Sequence, residues 1–247
     1  MRFTFGPACV LAVAVAAFAR PAAAQDAVVR IEQRQFKPGA GRITFSEVPV
    51  GTKNPTYPSA LYRGGPDSPT VRFAGHFQGR SLASPADCPR GAVATGCLSG
   101  SPSAPLALAP HSPHTEVFTY APDAVNGMSP SALGGTPAWN GPIAILFERD
   151  VAAVGLEAVG LDAARSTAIT VYDRQGRVLG QTVNRGTAVE FLGLATRDLS
   201  ARIAGLEFHL VGPEPKGFGV DNIRFGAPEQ VDLPGVRPQP PRPPILP

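Results

Sequence analysis

The sequence predicts an all-β protein, an antiparallel two-sheet β-sandwich, on three observations. Between residues 141 and 226, short β-forming runs recur at the spacing of consecutive sandwich strands. Inside that stretch, residues 168–172 and 177–180 flank the polar Asp173-Arg174-Gln175-Gly176, a short loop ending in glycine that signals a hairpin. No amphipathic helical period and no internal repeat stands out after residue 25.

Taken in order, residues 1–24 have the features of an export leader. Arg2 supplies the positive start, residues 10–18 the apolar middle, and Ala22-Ala23-Ala24 the small-residue cleavage motif. The apolar run is too short to span a bilayer, so the expectation is an exported chain, periplasmic or extracellular. Residues 25–41 form a weak lead-in, with Val29 and Ile31 alternating with charges as in a short strand. The sandwich itself is expected over 42–226. Arg42-Ile43-Thr44-Phe45 is a strand, and 51–69, rich in Gly, Pro, Asn and Ser, is a long loop. Residues 70–77 alternate with Val71, Phe73 and Phe77 on one face. Glu116-Val117-Phe118-Thr119-Tyr120 is another strand, and 121–140 is loop-like. Strands follow at 143–147, 154–161, 168–172, 177–180, 188–192, 203–210 and 220–225. Residues 227–247 are expected to be a proline-rich disordered tail, because runs such as Pro240-Pro241 and Pro243-Pro244 suit an extended chain.

The formal charge is +3, and Arg2 and Arg20 of the leader account for two of it. No basic block with interleaved aromatics exists, so nucleic acid is an unsuitable partner. Cys88 and Cys97 remain beyond the leader. In an oxidising compartment they are expected to pair, since a metal site would want more ligands than the nearby Asp87.

Ile43-Thr44-Phe45-Ser46-Glu47-Val48-Pro49-Val50-Gly51-Thr52 and the distant Gly219-Val220-Asp221-Asn222-Ile223-Arg224-Phe225 resemble the opening and closing strands of a family. It is that of secreted bacterial galactose-binding-like β-sandwich modules, found in exported and PEP-CTERM-type proteins. The likeness is coarse and covers roughly 42–226, with the middle third poorly matched. It implies a jelly-roll whose first and last strands lie side by side. It also implies a structural calcium ion held by Glu47, Asp221 and Asn222, which calcium would join with further oxygen ligands. Asp221-Asn222 stands where such modules often carry two aspartates. Pro213-Glu214-Pro215 is no sorting signal, since a strand follows it.

The favoured function is non-catalytic recognition of a glycan or an envelope component. A sugar site needs an exposed aromatic platform beside planar polar groups; Trp139 with Asn140, or Tyr57 and Tyr62 with Arg63, offer these from loops. The plainer alternative makes these aromatics buried cover. Catalysis is less well served. His111 and His114 lie three apart in a proline-rich loop with Glu116 nearby, the basis of a rival hydrolase reading. His76 and His209 fall in strands, Glu148 and Asp150 flank Arg149 at a strand end, and no Gly-x-Ser-x-Gly elbow is present. A third reading is a protein-interaction domain using a sheet face or the tail.

Overall fold

The computed structural model describes residues 27–92, 96–122, 131–137 and 139–236. The expected leader and the last part of the expected tail lie outside the described residues. The strands begin with β1 (Val28–Ile31), β2 (Gly41–Ile43), β3 (Thr56–Tyr57), β4 (Val71–Ala74) and β5 (Arg80–Leu82). Next come β6 (Leu98–Gly100), β7 (Val117–Tyr120), β8 (Ala132–Gly135), β9 (Ile143–Val151) and β10 (Ala153–Leu161). The series ends with β11 (Thr167–Tyr172), β12 (Val178–Val183), β13 (Ala188–Thr196), β14 (Ile203–Leu210) and β15 (Gly219–Gly226).

These build an antiparallel β-sandwich. One sheet has the order β1-β13-β10-β15-β8-β7, with β2 added beside β15; the other runs β12-β11-β14-β9-β4-β3. The first family-like strand does lie against the last, with Ile43 opposite Ile223 and Arg42 opposite Arg224. The predicted hairpin is β11–β12. Asp173 Oδ1 accepts the N–H groups of Gln175 and Arg177, and Gly176 takes φ +73°, which glycine adopts without a Cβ penalty.

Alternation decides what each sheet buries. Val220, Ile223 and Phe225 of β15 point into a core shared with Ile145, Phe147, Ile169, Leu206 and Phe208 of the facing sheet. Phe147 and Phe225 meet across it with ring centroids 5.3 Å apart. β14 is buried at every residue, because the segment around 76–109 covers its outer face as well. Such two-faced burial turns alternation into a continuous apolar run. Phe77 therefore does not join Val71 and Phe73: β4 stops at Ala74, and Phe77 packs with Leu106, Leu146 and Tyr172 on the outside of the sheet. Gly75 permits the change of face, since a Cβ there would lie 2.1 Å from the Thr115 carbonyl oxygen.

Both sides of the sandwich are bridged. Arg30 of β1 reaches across to the Thr182 hydroxyl and Val183 carbonyl of β12, at 2.9 and 2.8 Å. On the other side residues 51–54 hydrogen-bond along β7 before the chain enters β3 in the opposite sheet. The expected lead-in thus supplies a sheet strand, β1. The tail also starts later than expected. Val231 is buried with Ile31, Phe36 and Leu199, and bridges to Phe36, so order extends well past residue 227. Three apolar residues (Val231, Leu233, Val236) before the dense prolines explain this. Cys88 and Cys97 form the expected disulfide. No described helix is long and apolar enough to cross a membrane.

Candidate functional site

A cleft of about 510 Å³ opens where the β8–β9 loop, the end of β10 and the entry to β15 meet. Trp139 and Tyr120 wall it, Phe218 and Val159 line it with them, and Asp162 and Lys216 add polar groups. Its size falls within the usual range for small-molecule sites. Two local devices shape it. Gly160 is an extra residue on β10, unpaired between Val159–Val189 and Leu161–Ala188, and sits at φ +75°; such a bulge bends the strand. Gly217, at φ +112°, lets the entry to β15 pass against Trp139: a Cβ would lie 2.6 Å from Trp139 Cβ and 2.7 Å from its carbonyl oxygen. That oxygen accepts the Phe218 N–H at 2.9 Å, fixing the Trp139 backbone to β15.

Trp139 remains 44% exposed. Its ring meets Tyr120 edge-on at 4.8 Å and Phe118 at 5.4 Å, so its orientation is fixed while a face stays open. Burial, aided by the Asp221 charge, holds the Tyr120 phenol protonated by raising its pKa. Lys216 is tied to Asp162 twice, by its backbone N–H at 3.1 Å and its ammonium at 3.5 Å. Beneath them the fully buried Glu214 accepts the Asp162 N–H and the Ser166 hydroxyl. Burial raises its pKa. Pro213-Glu214-Pro215 is thus an internal anchor for the cleft rim.

No family model, curated protein or solved structure matches the chain.

The other expected platforms do not form. Tyr57 is fully buried, edge-on to Phe45 and Phe73 at 6.1 and 5.6 Å. Tyr62 is buried edge-on to Phe225 at 5.3 Å and donates its hydroxyl to the Pro69 carbonyl; burial pushes its pKa up to about 12. Tyr57 belongs to strand β3, which interrupts the expected loop, and Tyr62 packs the turn after it down, leaving Arg63 exposed. Asn140 is also buried, so it backs Trp139 rather than facing a ligand.

The residues nominated for calcium do not suit it. The Glu47 carboxylate accepts the Thr44 N–H and hydroxyl at 3.0 and 2.9 Å, closing the turn after β2. Asn222 directs its carbonyl oxygen to the Arg42 guanidinium at 2.6 Å, and its amide to Glu157 and Asp221. A cation ligand would not spend its oxygen on another cation. Among the described residues no group of three or more His, Cys, Asp or Glu is placed to hold a metal. Asp221-Asn222 has a backbone task instead. Asp221 opposes Glu157 and Arg224 opposes Gly155, which leaves one extra residue on β15. Asn222 takes that bulge at φ +44°, a conformation asparagine tolerates better than most residues.

The residues of the rival hydrolase partly converge. His111 Nε2 is 3.7 Å from Glu116 Oε2, while Lys53 pairs with Glu116 Oε1 at 2.7 Å. Asn54 accepts the Val117 N–H through Oδ1, so its amide nitrogen faces His111 Nδ1 and leaves the imidazole proton on Nε2, towards Glu116. A base that already presents N–H to a carboxylate has no lone pair there for a nucleophile. His114 is exposed. His76 Nδ1 is 2.9 Å from the Phe77 carbonyl oxygen, and Asp150 is bound by Arg174, apart from the exposed Glu148. Sequence reasoning missed Tyr120, Asp162, Lys216 and Phe218, which the chain brings to the cleft from three separate segments. The glycines at 160, 217 and 219 were the local signal of a close approach there.

Proposed function

We propose that the chain is an exported, non-catalytic binding module whose Trp139 cleft takes a saccharide of the cell envelope. The observation that carries this reading is Trp139 itself: a large aromatic side chain, 44% exposed and stiffened by Tyr120 and Phe118, over a cleft with paired charges. A pyranose has one apolar face of C–H groups, which stacks on such a ring, and hydroxyls that hydrogen-bond planar polar groups and backbone. Asp162 and Lys216 neutralise each other, which favours an uncharged sugar. The disulfide is compatible with an oxidising compartment, and the likeness to galactose-binding-like modules points the same way. A glycan array tests the reading. Wild-type protein should bind a defined set of neutral glycans, and Trp139→Ala should lose those signals while its circular dichroism shows the sheets still folded. Uniform blanks with wild type, or equal signals from both proteins, would overturn it.

A further inference from the structure

A second charged surface lies at the β2–β15 junction, about five residues along β15 from the cleft, or roughly 17 Å at strand rise. Arg42 and Arg224 are directly opposed across the two strands and so share a face of the sheet. Like charges in this register are normally unfavourable. Arg42 gives its hydrogen bonds to a neutral acceptor, Asn222 Oδ1. Arg224 is half-buried, makes no ion pair among the described residues, and buries an Nε that has no hydrogen-bond acceptor. Burial and the neighbouring Arg42 both work against its charge. Arg42 also walls a hollow of about 530 Å³ together with the exposed Arg63, Thr44 and Ser46. Three guanidinium groups therefore run from β15 over β2 to the 61–63 loop.

We infer that this row is a binding site for the carboxylate of an acidic saccharide, with Arg42 and Arg224 on the charge and the Arg63 hollow taking the sugar. Guanidinium groups match the planar carboxylate with paired N–H donors. Three carboxylates lie close by, and each already accepts a hydrogen bond: Glu47 from Thr44 at the rim of the hollow, Glu157 and Asp221 from the Asn222 amide. The Arg224 Nε is the donor left without an acceptor. The site stands apart from the Trp139 cleft and does not depend on it.

The test is calorimetric titration of the full chain with tetragalacturonate, neutral tetragalactose and inorganic phosphate at low salt. Arg42→Gln, Arg224→Gln, Trp139→Ala and Arg202→Gln are compared, the last removing an exposed arginine paired with Asp198. Saturable uronate binding that survives in Trp139→Ala, a variant without binding of the neutral sugar, is expected. It should weaken at least tenfold in Arg42→Gln and Arg224→Gln, and stay within twofold of wild type in the other two. Arg42 is exposed on a three-residue strand, so its variant carries the test if Arg224→Gln fails to fold. No saturable uronate binding, equal binding of the neutral sugar by Trp139→Ala, tighter binding of phosphate, or a loss confined to Trp139→Ala would each overturn the inference.

Discussion

Gly217 shows how much of the cleft rests on single atoms. A methyl group there meets Trp139 Cβ and its carbonyl oxygen at under 3 Å, at a φ that side chains rarely adopt. Gly217→Ala should therefore displace Trp139 and cost about 1–3 kcal/mol, read as a lower melting temperature together with a red shift of the sole tryptophan's emission. Glu207 is the corresponding fixture on the far sheet. It is fully buried and accepts from Arg80, the Phe77 N–H and the Tyr172 hydroxyl at 3.1, 3.2 and 2.8 Å. Those bonds hold the 76–109 segment on the sheet. Glu207→Leu leaves Arg80 buried without its partner, at a cost of about 3–5 kcal/mol; Glu207→Leu with Arg80→Met should recover much of it in urea melts. His209 offers a pH test. Burial holds its pKa below the ordinary 6.5, and its Nε2 lies 3.0 Å from the Thr170 hydroxyl. The unfolded chain then binds a proton near pH 6.5 that the folded chain refuses. Its contribution to stability is intact above that pH and declines as pH falls below it towards the folded value. His209→Gln should flatten the decline in melting temperature just below pH 6.5, before the carboxylates titrate.

At the scale of elements, the Cys88–Cys97 link closes a loop of sequence separation 9. Chain entropy gives it about 3 kcal/mol, so reduction should lower the urea midpoint with little change of slope. Val231 gives the companion prediction for the C-terminal segment: Val231→Ala should cost about 2 kcal/mol, where a disordered tail would show no effect. These two elements also show what could be read in advance. Strands that alternate or carry long apolar runs, such as β9, β11 and β14, were legible, as were the hairpin glycine and the cysteine pair. β8 was not, because Ala132-Leu133-Gly134-Gly135 has no β-forming pattern and is a strand only through pairing with β7 and β15. Val231 was hidden by the prolines after it. Phe77 was misplaced because alternation cannot show that a strand has ended and its chain crossed to the outer face.

For the whole molecule, the arrangement follows from closure. The first and last family-like strands pair, and both lateral edges are bridged, by Arg30 on one side and by residues 51–54 on the other. Trp139 was visible in the sequence as a candidate, but its cleft was not: Tyr120, Asp162 and Phe218 lie far apart in the chain and meet only when β7, β10 and β15 share one sheet. Arg42 and Arg224 were likewise separated by most of the domain. Because the chain contains one tryptophan, its emission reports on the cleft alone. Titrating the wild-type protein with the neutral glycan selected on the array, while following that emission, tests the central claim most directly. A saturable shift of intensity or wavelength, with the same midpoint as calorimetric binding, is predicted. Calorimetric saturation with unchanged emission would place the saccharide elsewhere and contradict the account.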